Sequence, residues 1–373
     1  MDPYSVQKQP WRARLSAKVH SFLHDKRGVR YYFLALGVIL ITGGVVLAII
    51  RPSMFGDGGF SFIPPPPEPP KYYSPLTGVE VKDEKTTKQL VTAIMIENSP
   101  DARPQSGLKY AGVVFEAIAE GGITRFSALY QENKPGLIGP VRSLRPYYLA
   151  WVKPFDPAIA HVGGSLNAVR TVRNGDYKDI DEFFNAQAYW RATDRFAPHN
   201  VYTNFTKLNA LNASKKYFTS KFKGFPRQKV LSKKDKPEPK QKLPSANNIS
   251  IEVSSPTYSP SYKYDAKKKV YHRFLGGKPH VDREKGLITP RVVIAMKVQT
   301  VIGFEDGYRE QMTTNGSGDA YIFQDGVVVK GKWHKKNTTD QLKFTDKNNK
   351  EIPLARGQTW ITATPTDREV TWR

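Results

Sequence analysis

The chain has 373 residues, with 57 Lys and Arg against 34 Asp and Glu, for a formal net charge of +23. It has no cysteine, which excludes a disulfide framework, a thiolate zinc site, a cysteine nucleophile and a lipid-bearing N-terminal cysteine. Stability must therefore come from an ordinary packed core.

Residues 1–30 form a basic arm, with Lys8, Arg12, Arg14, Lys18, Lys26, Arg27 and Arg30 against only Asp2 and Asp25. Residues 31–50, YYFLALGVILITGGVVLAII, carry no charge. At ~1.5 Å rise per residue a helix of that length spans the ~30 Å of a bilayer core. Arg30 and Arg51 bracket it, and no A-x-A site follows as a cleaved signal peptide would require. The positive-inside rule predicts a single-pass cell-membrane anchor, with residues 1–30 cytoplasmic and the bulk of the chain outside. A basic exported domain does not expect nucleic acid. Its available polyanions are phospholipid headgroups and anionic wall polymers, although scattered surface lysines also serve solubility.

Residues 51–73 include IPPPPEPP, a semi-rigid polyproline spacer. A mixed α/β domain with a central sheet is expected over 74–225. A Lys/Pro-rich linker follows at 226–248, and a mainly antiparallel β domain at 249–373. The class is thus α+β. In the first module LVTAIMIEN (90–98) reads as a buried strand, AGVVFEAIAEGGITRFSALY (111–130) as a hairpin, and PAIAHVGG (157–164) as another strand. SLNAVRTVRN (165–174) and 181–190 read as helices. In the second, 291–299, 320–333, 342–354 and 358–365 turn and alternate like an antiparallel sheet.

Gly121–Gly122 suits a two-residue hairpin turn. The pairs Glu120–Ile123, Ile118–Arg125 and Glu116–Ser127 then place Glu116, Glu120 and Arg125 on one face, and Phe115, Ala117, Phe126 and Ala128 on a core face. Such a charged face is either a solvated ladder worth at most ~1 kcal/mol or the wall of a cleft. GLIGPVRSLRPYY (136–148) sets Arg142 and Arg145 three apart, with Pro140 and Pro146 stiffening the backbone. Fixed guanidinium forks suit bidentate grip on phosphate or carboxylate; the bland alternative is bonding to local carbonyls. HVGGS (161–165) ends a strand, where ligand sites of open α/β sheets gather, and Ser165 can open a helix toward an anion. It is not a G-x-S-x-G elbow, because Asn167 stands where glycine is required. A lone His161 is otherwise a structural histidine. DRFAPHN (194–200) offers Asp194, Arg195 and His199 to an acid–base or anion-binding set. No metal-ligand spacing is present, and no cofactor is indicated.

The strings RPQSGLKYAGVVFEAIAEGGITRF (103–126), IGPVRSLRPYY (138–148), HVGGS (161–165), APHNVYT (197–203), GDAYIFQDGVVVKGKW (318–333) and GQTWI (357–361) resemble the YerB-like lipoprotein family of bacteria. The resemblance runs from about Ser74 onward. It implies an envelope protein at the outer face of the membrane, with N- and C-terminal domains of unknown function. The departure is the absent lipobox cysteine, which leaves anchoring to 31–50. A fainter likeness, by analogy only, is to the LytR–CpsA–Psr phosphotransferases, which use arginines around a pyrophosphate.

The leading expectation is binding of an anionic or phosphate-bearing envelope ligand, clamped by Arg125, Arg142, Arg145 and Arg195, with Glu116 and Glu120 orienting the clamp. Phosphoryl or glycosyl-phosphate transfer on wall precursors, with His161 or His199 as base, is the enzymatic alternative. A structural scaffold of the envelope is the third.

Overall fold

The computed structural model describes residues 34, 37–38, 70–230, 243–307 and 309–373. The expected arm at 1–30, most of the expected transmembrane helix at 31–50, nearly all of the spacer, and 231–242 of the linker lie outside the described residues. Leu34, Gly37 and Val38 are helical, and among the described residues no helix is long and apolar enough to cross a membrane. The chain divides into two units, Met1–Pro69 and Pro70–Arg373, and all described strands belong to the second.

A 12-stranded mixed sheet runs through that unit. Its strands are β1 (Thr92–Glu97), β2 (Val113–Glu120), β3 (Ile123–Tyr130), β4 (Ala158–His161), β5 (Lys178–Asp181), β6 (Val292–Val298), β7 (Thr300–Phe304), β8 (Arg309–Met312), β9 (Gly316–Gln324), β10 (Val327–Lys335), β11 (Lys343–Thr345) and β12 (Thr359–Pro365). The order is β11-β10-β9-β6-β12-β2-β3-β1-β4-β5, with the β7–β8 hairpin attached to β2 through Arg309 and Glu120. β12 pairs parallel to both β6 and β2. The segments 74–225 and 249–373 therefore share one sheet. A second, antiparallel sheet of five strands is built from 248–279 and 370–372. The period-2 pattern of 358–365 reads as antiparallel, but alternation is equally compatible with parallel pairing.

β1 is buried along its whole length. Ala93 and Met95 enter one core cluster, and Ile94 and Ile96 the other. A continuous apolar run is what a strand covered on both faces needs. Helix α1 (Pro146–Val152) starts with proline in its first turn, where a missing N–H removes no bond. It packs Trp151 on Phe115, ring centroids 5.8 Å apart. Helix α2 (Leu166–Asn174) is N-capped by Ser165. The helix expected at 181–190 is instead two short 3-10 turns, Glu182–Phe184 and Ala186–Ala188, leading into an extended pair. Asp181 caps the first through the Phe183 amide.

The hairpin turn forms at Gly121 and Gly122, with φ of 55° and 78°, and Glu120 faces Ile123. The rest of the expected register is off by one. The ladder shifts between Ile118 and Glu120, so Ala117 faces Arg125 and Glu116 faces Phe126. A bulge adds one unpaired residue and reverses which face each later residue occupies. Glu120 and Arg125 stay together, while Glu116 is carried to the opposite face of the sheet. Phe115 and Ala117 are likewise separated from Phe126 and Ala128, which pack in the other cluster.

Candidate functional site

Glu120, Gly121, Ile123, Arg142, Ser143, Arg145, Gly164 and Arg309 line a cleft of about 460 Å³. Its residues come from the end of β2, the start of β3, the loop before α1, the turn after β4 and the start of β8. The loop is pinned from both sides. The Arg142 amide donates to Met95 O at 2.9 Å, the Val162 amide to Arg142 O at 3.1 Å, and the Leu144 amide to Gly163 O at 3.0 Å. Gly163 takes a φ of 56° there, a conformation that disfavours side chains.

Arg125 and Arg145 are each only 2% exposed. Arg125 donates to Ser143 O at 2.8 Å and to Glu120 Oε1 at 3.2 Å. Arg145 donates to Ala119 O at 3.2 Å, to Leu144 O at 2.9 Å and to Glu120 Oε2. Both guanidinium groups thus tie one carboxylate to the loop carbonyls. Burial pushes the Glu120 carboxyl up, but Arg125 and Arg145 together overcome this and hold it below its ordinary value. Burial, reinforced by Arg125, lowers the Arg145 pKa against the opposing pull of Glu120. At the cleft's edge burial raises the Glu310 carboxyl, whose Oε1 accepts a 3.4 Å bond from the Gly122 amide.

Arg142 differs from its two neighbours. Its side chain is 22% exposed, and its Nε lies 3.3 Å from Glu97 Oε1. Its terminal nitrogens form no hydrogen bond among the described residues. Arg309 pairs with Asp306 and lies 3.8 Å from Glu120 Oε2.

The other expected site residues divide between this region and elsewhere. His199 Nδ1 lies 2.9 Å from Glu97 Oε1, which puts His199 beside Arg142. Ser165 abuts the cleft's Gly164, and its hydroxyl donates to Glu305 at 3.3 Å. His161 does not reach the cleft: it is buried between Gly163 O at 2.7 Å and Asp179 at 3.0 Å. Arg195 is held by the carbonyls of Asp101 and Pro104, at 3.0 and 2.6 Å. Asp194 forms a surface pair with Arg283 at 2.6 Å. Glu116 is fully buried on the far face. It accepts Arg273 in two bonds of 2.8 and 3.0 Å, Trp360 Nε1 at 2.9 Å and Thr362 Oγ1 at 3.1 Å. Its expected role beside Arg125 is therefore corrected: the bulge gives it a structural partner from the second half of the chain. Arg273 in turn donates to His280 Nδ1 at 2.9 Å, and His280 Nε2 lies 3.0 Å from Gln105. Burial, with Arg273 nearby, keeps His280 well below its ordinary pKa.

Glu97 and Arg309 were not among the expected site residues. Glu97 had a usable signal, a lone carboxylate closing an apolar strand at its carboxyl end, where α/β sites gather. Arg309 had none, because it arrives from a distant hairpin. Among the described residues no group of three or more His, Asp or Glu could hold a metal ion.

Residues 76–219 match the family described as "Protein of unknown function (DUF3048) N-terminal domain", and 249–361 match its C-terminal domain. "Putative lipoprotein YerB" of Bacillus subtilis (strain 168) is 32% identical over 303 residues, covering 79% of this chain and 87% of that protein. The crystal structure of the YerB protein from Bacillus subtilis superposes with a TM-score of 0.71 at 29% identity, over 81% of this chain and 100% of that one.

Proposed function

The chain belongs to the YerB-like family, and on that premise we propose that it is a membrane-anchored, outward-facing envelope protein that binds an anionic or phosphate-bearing ligand in the cleft at Arg142. The observation that carries this reading is the division of labour among the arginines. Arg125 and Arg145 are held by Glu120 and by carbonyls, so they fix the loop. Arg142 stands on that loop with its terminal nitrogens in no hydrogen bond among the described residues and its side chain partly open to solvent. A pre-positioned planar fork loses little freedom when it grips two phosphate oxygens. The buried arginines add positive potential without needing to move. Removing one charge-assisted contact costs about 1.5–3 kcal/mol.

The outer-face location is supported by the description of the Bacillus subtilis relative as a putative lipoprotein. With no cysteine in this sequence, the apolar stretch 31–50 takes the anchoring role. Lipid headgroups and anionic wall polymers are the polyanions present at that surface.

The test is calorimetric titration of the full-length chain, in neutral detergent, with inorganic phosphate. Arg142→Lys is expected to weaken binding although charge is kept, because lysine lacks the two-pronged geometry. Unchanged binding in Arg142→Lys and Arg142→Ala would remove Arg142 as the contact.

A further inference from the structure

Glu97 closes β1 at the carboxyl edge of three parallel strands, β1, β4 and β5. It is 3% exposed. Its Oε1 accepts from the Ser99 hydroxyl at 3.0 Å and lies 2.9 Å from His199 Nδ1. Its Oε2 is buried with no hydrogen-bond partner among the described residues. A buried carboxylate against Nδ1 sets the tautomer: Nδ1 carries the proton, and Nε2 keeps a lone pair directed away from Glu97. The His199 side chain is 22% exposed, and the acid nearest Nε2 is the exposed Asp101, at 3.9 Å. The same Glu97 oxygen faces Arg142 Nε at 3.3 Å, so the imidazole and Arg142, which lines the cleft, are held by one carboxylate oxygen.

From this geometry we propose that Glu97 and His199 form the acid–base centre of a phosphate-ester hydrolase, with the ester's phosphate held on Arg142. The proposal rests on the reading of the cleft as an anion site. His199 Nε2 takes a proton from a water molecule as that water's oxygen bonds to phosphorus. The bond from phosphorus to the ester oxygen breaks, and its electron pair leaves with the alcohol oxygen. The imidazolium, stabilised by Glu97, then returns its proton to the departing oxygen or to solvent. No electron is transferred and no co-reactant beyond water is consumed. Ser99 is not the nucleophile, since its hydroxyl is turned to Glu97 on the Nδ1 side of the ring, 3.2 Å from that nitrogen. Glu97 acts through His199 and is a positioning residue.

The experiment uses the full-length protein in neutral detergent, with p-nitrophenyl phosphate as the probe and inorganic phosphate binding followed in parallel by calorimetry. Release of p-nitrophenolate is expected, falling on the order of 100-fold or more in His199→Asn while phosphate binding persists, which also shows that the variant is folded. Glu97→Gln, which also weakens the 3.3 Å contact to Arg142 Nε, should lower kcat by far more than it raises KM, a split that a merely structural lesion would not give. Asp194→Asn, on the surface pair with Arg283, should match the parent. If phosphate binds but turnover never exceeds that of His199→Asn, the hydrolase is overturned and the binding reading stands. If hydrolysis survives in His199→Asn, the base is elsewhere. If neither binding nor turnover is found, both readings fall.

Discussion

Arg273→Met is expected to destabilise the folded unit severely. The pair it breaks has both side chains fully buried, with two bonds of 2.8 and 3.0 Å to Glu116. The guanidinium carbon also sits 4.2 Å from the Trp360 ring centroid. Methionine fills much of the volume but leaves Glu116 a buried anion with only two neutral donors, Trp360 Nε1 and Thr362 Oγ1. Removing one partner of a buried ion pair costs about 3–5 kcal/mol, a large part of the roughly 5–15 kcal/mol that keeps a typical protein folded. Adding Glu116→Gln removes the stranded charge, so the double variant should be more stable than Arg273→Met alone. Equilibrium urea unfolding reads both through the shift in midpoint at constant slope. A loss below about 1 kcal/mol for the single variant, against that expectation, or a double variant no better than the single, would refute the reasoning.

A protease site inserted within 231–242 should give a nicked protein whose halves co-elute in gel filtration, because β12 lies between β6 and β2; separation into two stable folded fragments would contradict the shared sheet. Glu120 titrates below its ordinary 4.5 in the fold, so its contribution is complete above that value and is lost as pH falls through the lower folded one. Glu120→Gln should remove that part of the acid limb of the stability–pH curve, and an unaltered limb would count against the Arg125–Glu120–Arg145 cluster. Protease added to wall-less cells should digest residues beyond Arg51 and spare the arm before Arg30; a protected large domain would reverse the proposed orientation.

Much of the local structure was legible because it is locally determined. The apolar run of β1, the paired glycines of the hairpin and the Ser165 cap each carry their own chemistry. The rigid loop sets Arg142 and Arg145 in one cleft with Gly164 of HVGGS, whereas Arg125, expected beside them, is buried on Glu120 and Ser143 O and does not line that cleft. The bulge before Glu120 was not legible, since an extra residue in a strand leaves no mark on composition, and it moved Glu116 across the sheet. Arg273 and Arg309 were hidden for another reason. Arg273 meets Glu116 across 157 positions, and Arg309 reaches Glu120 from the other half of the chain, so no short window contains either pair. His161 looked like a site residue because glycines follow it, but those glycines serve the turn whose carbonyl its ring engages.

The place of β12 sets an order of events during synthesis. β2 acquires its parallel neighbour only from residues 359–365, and the Thr362–Glu116 bond spans 246 positions. Long-range parallel pairing is slow, because loop closure must precede any contact that rewards it. A chain made from its amino end therefore carries β2 as an open edge until nearly all of it has emerged, and the Glu116 carboxylate stays without its Arg273 partner until the chain has passed that residue. That interval is when the strand can pair wrongly with another nascent copy. Loss of only the last fifteen residues would leave this hazard permanent, because residues 359–365 go with them.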